Sequence, residues 1–178
     1  VNEAITATFS ESMDTTTIGT STFTLSGDVT GTVTYSGTTA TFAPSSLSYA
    51  TTYTAAITTG AKDIAGNAMD FDYTWSFATI TVPPTVTTGT ATNITTSSAT
   101  LNGTVTANGL SATAWFDYGT VSGSYSGSST TQSVIGTSST AVNMGISGLS
   151  SDTTYYYRIV AQNGAGTRLA PEGKLRNG

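Results

Sequence analysis

The sequence predicts an all-β protein built as two tandem β-sandwiches. Three observations carry that expectation. One stretch occurs twice: Leu47-Ser48-Tyr49-Ala50-Thr51-Thr52-Tyr53 and Leu149-Ser150-Ser151-Asp152-Thr153-Thr154-Tyr155 share the pattern L-x-x-x-T-T-Y. Apolar residues recur with period two, and no stretch sustains a helical period. Thr, Ser, Gly and Ala dominate the composition. Threonine suits strands because its β-branched side chain fits a pleated surface, and 19 glycines imply many turns.

Each copy of the repeat opens a strand. Ala55 and Ile57 alternate after Tyr53, and Tyr157, Ile159 and Ala161 alternate after Tyr155. A leucine that plugs a core, a turn, then a tyrosine entering the next strand is the layout of a tyrosine corner. The ring is buried while its hydroxyl bonds back to nearby backbone. Leu47, Tyr53, Leu149 and Tyr155 are therefore the expected structural site residues. The copies lie about one sandwich apart, since such domains run to roughly 100 residues. The expected organisation is a domain over residues 1–79, a linker over 80–84 and a second domain over 85–178. Each domain is large enough to bury a core without disulfides or metals.

In chain order, Ile5, Ala7 and Phe9 mark a first half-buried strand, and the Thr-rich connection after Asp14 leads to Phe23 and Leu25. Val33 and Tyr35 mark a third strand, and Ala40 and Phe42 a fourth that Pro44 stops. After the first corner comes a turn-rich loop over residues 60–69. Phe71, Tyr73, Trp75 and Phe77 then alternate with Asp72, Thr74, Ser76 and Ala78, the strongest period-two signal and the expected closing strand. Residues 80–86 contain Pro83-Pro84 and read as a semi-rigid spacer. In the second half, residues 100–105 read as an early strand and Asn108-Gly109 as a turn. Trp115 and Phe116 point to opposite faces, one of them being the core aromatic. Residues 119–131 read as a long, mobile hairpin or loop. Val134-Ile135 and residues 142–146 read as short strands, followed by the second corner. Beyond Thr167 the alternation fades, so no closing strand is predicted there, and the tail reads as disordered or vector-derived.

Two resemblances rest on these elements. Residues 1–79 resemble the bacterial Ig-like domains of S-layer and adhesin-type surface proteins. The matching elements are residues 9–14, the corner at Leu47 to Tyr53, residues 62–67, and the ending Trp75-Ser76-Phe77-Ala78-Thr79. Residues 85–167 resemble a fibronectin type III-like domain of bacterial exoproteins, through residues 99–103, residues 115–119, the second corner and residues 158–166. The resemblance implies a spacer or adhesion module on a surface or secreted protein, and no catalytic residues.

Composition excludes several function classes. Net charge is −5, and the only basic residues are Lys62, Arg158, Arg168, Lys174 and Arg176, too few to neutralise a nucleic-acid backbone. No apolar run spans a bilayer. The chain starts at Val1-Asn2-Glu3 without an initiating Met and reads as a piece of a longer protein. The absence of His and Cys removes the usual nucleophile–base pairs, disulfides and thiolate or imidazole metal sites. No cofactor is expected, with calcium the open exception. Its candidate oxygen ligands are Glu11 with Asp14, and Asp63, Asn67, Asp70 and Asp72, without EF-hand spacing. The competing reading is that these side chains stabilise turns. Paired carboxylates such as Glu11 with Asp14 or Asp70 with Asp72 sit in short turns with no evident cleft for glycoside hydrolysis. Tyr49, Tyr125 and Tyr156 are expected to face outward, where they could form a sugar platform. Lys62, in a loop, is a poor isopeptide donor. Asn93-Ile94-Thr95 and Asn102-Gly103-Thr104 match the N-glycan acceptor pattern.

The reading is a non-catalytic spacer fragment of a bacterial cell-surface or secreted multidomain protein, adhesion-related. A glycan- or protein-binding module and the accessory domains of a secreted enzyme are the alternatives. Its partners are left as unknown, a glycan or surface protein being the open choices, with no nucleic acid and no membrane span.

Overall fold

Alternating threonine and apolar residues build strands throughout the computed structural model, which describes residues 3–178. Val1 and Asn2, placed by sequence just before the first strand, lie outside the described residues. The fold is all-β, with no helix among the described residues. The chain divides into two units, residues 1–80 and 81–178.

The first unit contains β1 (Ile5–Thr8), β2 (Phe23–Leu25), β3 (Gly31–Ser36), β4 (Thr39–Pro44), β5 (Thr52–Ile57) and β6 (Tyr73–Ala78). They form two antiparallel three-stranded sheets, ordered β1-β4-β3 and β2-β5-β6. Phe23, Phe42, Ala55 and Ile57 fill the space between them. The Phe23 ring lies 5.6 Å from Phe42 and 5.8 Å from Trp75. Tyr35 reaches across to accept the Met13 amide at 2.8 Å.

The aromatic run before Thr79 forms the closing strand of the first unit, as its alternation predicts, but is less covered than a core strand. The strand begins at Tyr73, and Phe71 and Tyr73 are 70% and 56% exposed, with Trp75 and Phe77 half-buried. The cause is topological. Among the described residues β6 pairs only with β5 and β1 only with β4, so both are sheet edges. Alternation records which way side chains face, whereas burial also requires a neighbour to cover them.

The second unit contains β7 (Thr85–Thr88), β8 (Ser98–Thr106), β9 (Ala112–Gly119), β10 (Gly127–Ser128), β11 (Gln132–Val134), β12 (Thr140–Ser147), β13 (Thr154–Asn163), β14 (Gly166–Leu169) and β15 (Gly173–Arg176). One sheet is ordered β12-β8-β7. The other is centred on β9 and β13, with β10 and β11 on the free side of β9 and β14 and β15 on the free side of β13. A three-stranded sheet thus faces a six-stranded one in which each edge position is shared by two short strands. Leu101, Val105, Phe116, Val142, Tyr157 and Ile159 are its core. Phe116 is the buried aromatic, while Trp115 on the opposite face donates its indole N–H to Asp117 at 3.0 Å.

One expectation is corrected here. The closing strand exists, in two pieces: β14 pairs residues 160–163 and β15 pairs residues 154–157 of β13. The alternation is hidden because Ala170-Pro171-Glu172 breaks the strand and only Ala170, Leu175 and Asn177 turn inward. The tail is therefore part of the fold. Of the hairpin and the loop expected over residues 119–131, the hairpin is present: β10 pairs back onto β9, and a Val121–Ser124 bridge lies within the connection. Residues of the expected semi-rigid spacer make hydrogen bonds within each unit. The Ile80 carbonyl accepts the Ala50 amide at 3.0 Å. In the second unit the Val82 carbonyl accepts from Asn163 Nδ2 at 3.0 Å and the Pro83 carbonyl from Asn108 Nδ2 at 2.7 Å.

Asn177 is fully buried and donates to the Thr96 carbonyl at 2.9 Å while accepting the Thr153 amide at 3.2 Å. Asn177→Ala strands both backbone groups and should cost the second unit about 1–3 kcal/mol. Chemical denaturation followed by Trp115 emission in a Trp75→Phe background reads this out.

Candidate functional site

The repeated stretch produces the same geometry in both units. Leu47 and Leu149 are buried. Tyr53 Oη accepts the Ser48 amide at 2.9 Å, and Tyr155 Oη accepts the Ser150 amide at 2.9 Å. Both rings are almost wholly buried. The equivalent residues Ala50 and Asp152 both take positive φ, 52° and 55°. The following threonines bond back alike, Thr51 Oγ1 to the Tyr49 carbonyl at 2.9 Å and Thr153 Oγ1 to the Ser151 carbonyl at 3.0 Å.

A second layer of the site was not visible in the sequence. The residue after each unit's last strand locks the turn. Thr79 follows β6; its hydroxyl accepts the Thr51 amide at 3.0 Å and donates to the Ser48 carbonyl at 2.7 Å. Asn177 follows β15 and takes the Thr153 amide in the same way. Thr79 N–H also reaches the Thr51 carbonyl at 2.9 Å, and Asn177 N–H the Thr153 carbonyl at 3.3 Å. The correspondence is hidden because a threonine and an asparagine perform one task.

Three of the candidate calcium ligands, Asp14, Asp63 and Asp72, accept backbone amides. Asp63 Oδ1 accepts the Ala65 and Asn67 amides, each at 2.8 Å, and its Oδ2 accepts from Asn67 Nδ2 at 2.8 Å. The Asn67 bonds hold its carboxyl below the ordinary aspartate range. Asp14 Oδ1 accepts the hydroxyl and amide of Thr16 at 2.8 and 2.9 Å, and the hydroxyl first and the amide second lower its pKa. Asp72 Oδ1 accepts the Thr59 amide at 2.8 Å. The Asp14 and Asp63 bonds are Asx-type turn contacts, whereas Asp72 bridges two ends of a longer loop. Among the described residues no three acidic side chains converge as a metal centre would require.

The aromatic candidates do not form an open platform. Tyr49, Tyr125 and Tyr156 are all half-buried. The Arg158 guanidinium covers the Tyr125 ring, 4.3 Å from its centroid, and lies 3.5 Å from Asp117. Tyr125 Oη donates to Glu172 at 2.6 Å. Glu172 also accepts the Ser122 hydroxyl at 2.7 Å and the Gly123 amide at 2.9 Å, pinning the loop before β10 to the turn before β15. These bonds, Tyr125 first, hold the Glu172 carboxyl below the ordinary glutamate range. Its partners lie almost fifty residues away, beyond the reach of any local motif. Tyr157 is buried too; its hydroxyl accepts the Ala91 amide and donates to the Gly89 carbonyl, each at 2.8 Å. Burial raises its pKa.

The first unit carries an open groove on its β1–β6 flank. It has a volume of about 540 Å³ and runs between the edges of β1 and β6, with Phe9, Ile57, Met69, Tyr73 and Trp75 among its walls. Lys62 is exposed, as its loop position implies. No helix among the described residues is long and apolar enough to cross a membrane.

Comparison with known proteins adds a family for part of the chain. Residues 1–79 match the bacterial Ig-like domain family. No curated protein matches the sequence. Solved structures that are similar include the long form of the sensor domain of the anti-sigma factor RsgI4 from Pseudobacteroides cellulosolvens, 19% identical over 53% of this chain and 88% of that one, with a TM-score of 0.41. Domains FN1–FN3 of chicken CNTN1 are 15% identical over 88% of this chain and 53% of theirs, with a TM-score of 0.42. Titin domains A168–A170 are 13% identical over 99% of this chain and 59% of theirs, with a TM-score of 0.37. At these identities and scores none says what this chain binds.

Tyr53→Phe and Tyr155→Phe should each destabilise their own unit by about 1 kcal/mol or more, the scale of a lost buried hydrogen bond. Ala50→Gly should act oppositely, raising the urea midpoint of the first unit, because a left-handed backbone costs an L-residue about 1–2 kcal/mol. Glu172 should supply a pH signature. Its folded pKa is depressed, so its contribution is complete above the unfolded value and is lost as pH falls through the folded one. The Gly123 amide resonance should titrate with a midpoint below that of an ordinary glutamate, and Glu172→Gln should flatten that titration.

Proposed function

We propose that the chain is a non-catalytic structural spacer, two sandwiches within a bacterial cell-surface or secreted multidomain protein with an adhesion-related role. The observation that carries this reading is where the polar groups are spent. Asp14, Asp63, Asp72 and Glu172 accept local or loop-closing hydrogen bonds, and Thr79 and Asn177 secure the turns of their own units. Such an arrangement favours a stiff module over a reactive cleft. The bacterial Ig-like match over residues 1–79 supports an exported setting. The corners at Leu47 and Tyr53 and at Leu149 and Tyr155 are proposed as the elements that fix each sandwich's chain crossing.

A binding-module reading is favoured by one feature, the groove beside Tyr73 and Trp75. The two readings separate by replacement. In the protein that carries it, exchanging residues 1–178 for two unrelated sandwiches should preserve adhesion, while their deletion should reduce it. Loss of adhesion on exchange, together with retention of glycans on an array by the isolated chain, would replace the spacer reading with the binding one. Labelling of intact cells with an antibody to this region tests the exported location.

A further inference from the structure

Two N-x-T acceptor patterns lie within ten residues of each other, and the fold treats them differently. Asn93-Ile94-Thr95 belongs to a stretch, residues 92–97, in which every residue is exposed. No strand includes it, and Asn93 takes a φ of 48° at the turn leading back into β8. The Asn93 amide makes one long contact, Nδ2 to Thr100 Oγ1 at 3.3 Å, on the surface. A surface turn of this kind is where an enzyme can draw a short segment into its active site.

Asn102-Gly103-Thr104 lies within β8, which is paired on both sides, by β7 and by β12. Asn102 Nδ2 donates to the Thr90 carbonyl at 2.7 Å and to Thr92 Oγ1 at 3.0 Å, which uses both of its protons. The Asn102 carbonyl accepts the Gly89 amide at 2.7 Å. A Cβ at Gly103 would stand 2.8 Å from the Thr87 carbonyl, so the backbone there is closely enclosed. Presenting this triplet to an enzyme requires stripping the centre of a three-stranded sheet.

We infer that the folded chain offers one N-glycan acceptor, Asn93, and conceals the other, Asn102. The co-reactant is a lipid-pyrophosphate-linked oligosaccharide. The bond formed joins Asn93 Nδ2 to the anomeric carbon of the sugar. Nδ2 loses one proton, and the lipid pyrophosphate leaves with the electron pair of the broken C–O bond. A glycan there would stand on the turn between β7 and β8 of the second unit. The inference does not depend on the spacer reading.

The test treats the folded full chain with a purified single-subunit oligosaccharyltransferase and a lipid-linked oligosaccharide that together modify a synthetic Asn-x-Thr peptide. One glycan per chain is expected by intact mass, mapped to Asn93 by peptide sequencing. Thr95→Ala should abolish it. Thr104→Ala, which removes the second pattern without touching Asn102, should leave the yield unchanged. An unmodified folded chain, or a glycan at Asn102, would overturn the inference.

Discussion

A chain that crosses from one sheet to the other must leave its ladder, and the amides it leaves behind need partners. In both units the crossing is met by one phenol oxygen, Tyr53 on the Ser48 amide and Tyr155 on the Ser150 amide. Because the ring is buried beside its leucine, the bond fixes the crossing to the core and to the surface at once. The rest of the turn is built around that bond. A left-handed residue sits at Ala50 or Asp152, a threonine bonds back, and the residue after the last strand ties off the remaining amide. The two units share this device while differing in strand number and edge protection.

The units differ most at their margins. In the second, the central strand β13 carries β9 on one side and both β14 and β15 on the other, and Glu172 fastens a distant loop over that region. In the first, β1 and β6 stand as edges with aromatic side chains half-covered between them. The same alternating pattern therefore gives a sealed core in one unit and an open flank in the other.

The all-β class, the twofold repeat and most strand positions were legible in the sequence because period-two patterning and turn residues are local signals. Phe116 as core and Trp115 as its outward neighbour were half-legible: alternation separates them but does not choose between them. What escaped is non-local. Thr79 and Asn177 perform one role with different side chains, and Glu172 finds partners through space rather than along the chain. The closing strand escaped because Pro171 and a single inward leucine, Leu175, erase its alternation. The acidic clusters kept two readings open in sequence, and the contacts of Asp14 and Asp63 in the structure are those of turn stabilisation.

Asn177 also orders events in time. It bonds to the Thr96 carbonyl, 81 residues earlier. During vectorial synthesis the β7–β8 region emerges long before the residue that completes it, and long-range closures of this kind are slow. Until then Thr96 and Thr153 have only water as a substitute. The second sandwich is thus finished by a late-arriving latch, and a nascent chain paused a few residues short would hold nearly all of its strands yet lack their final fastening.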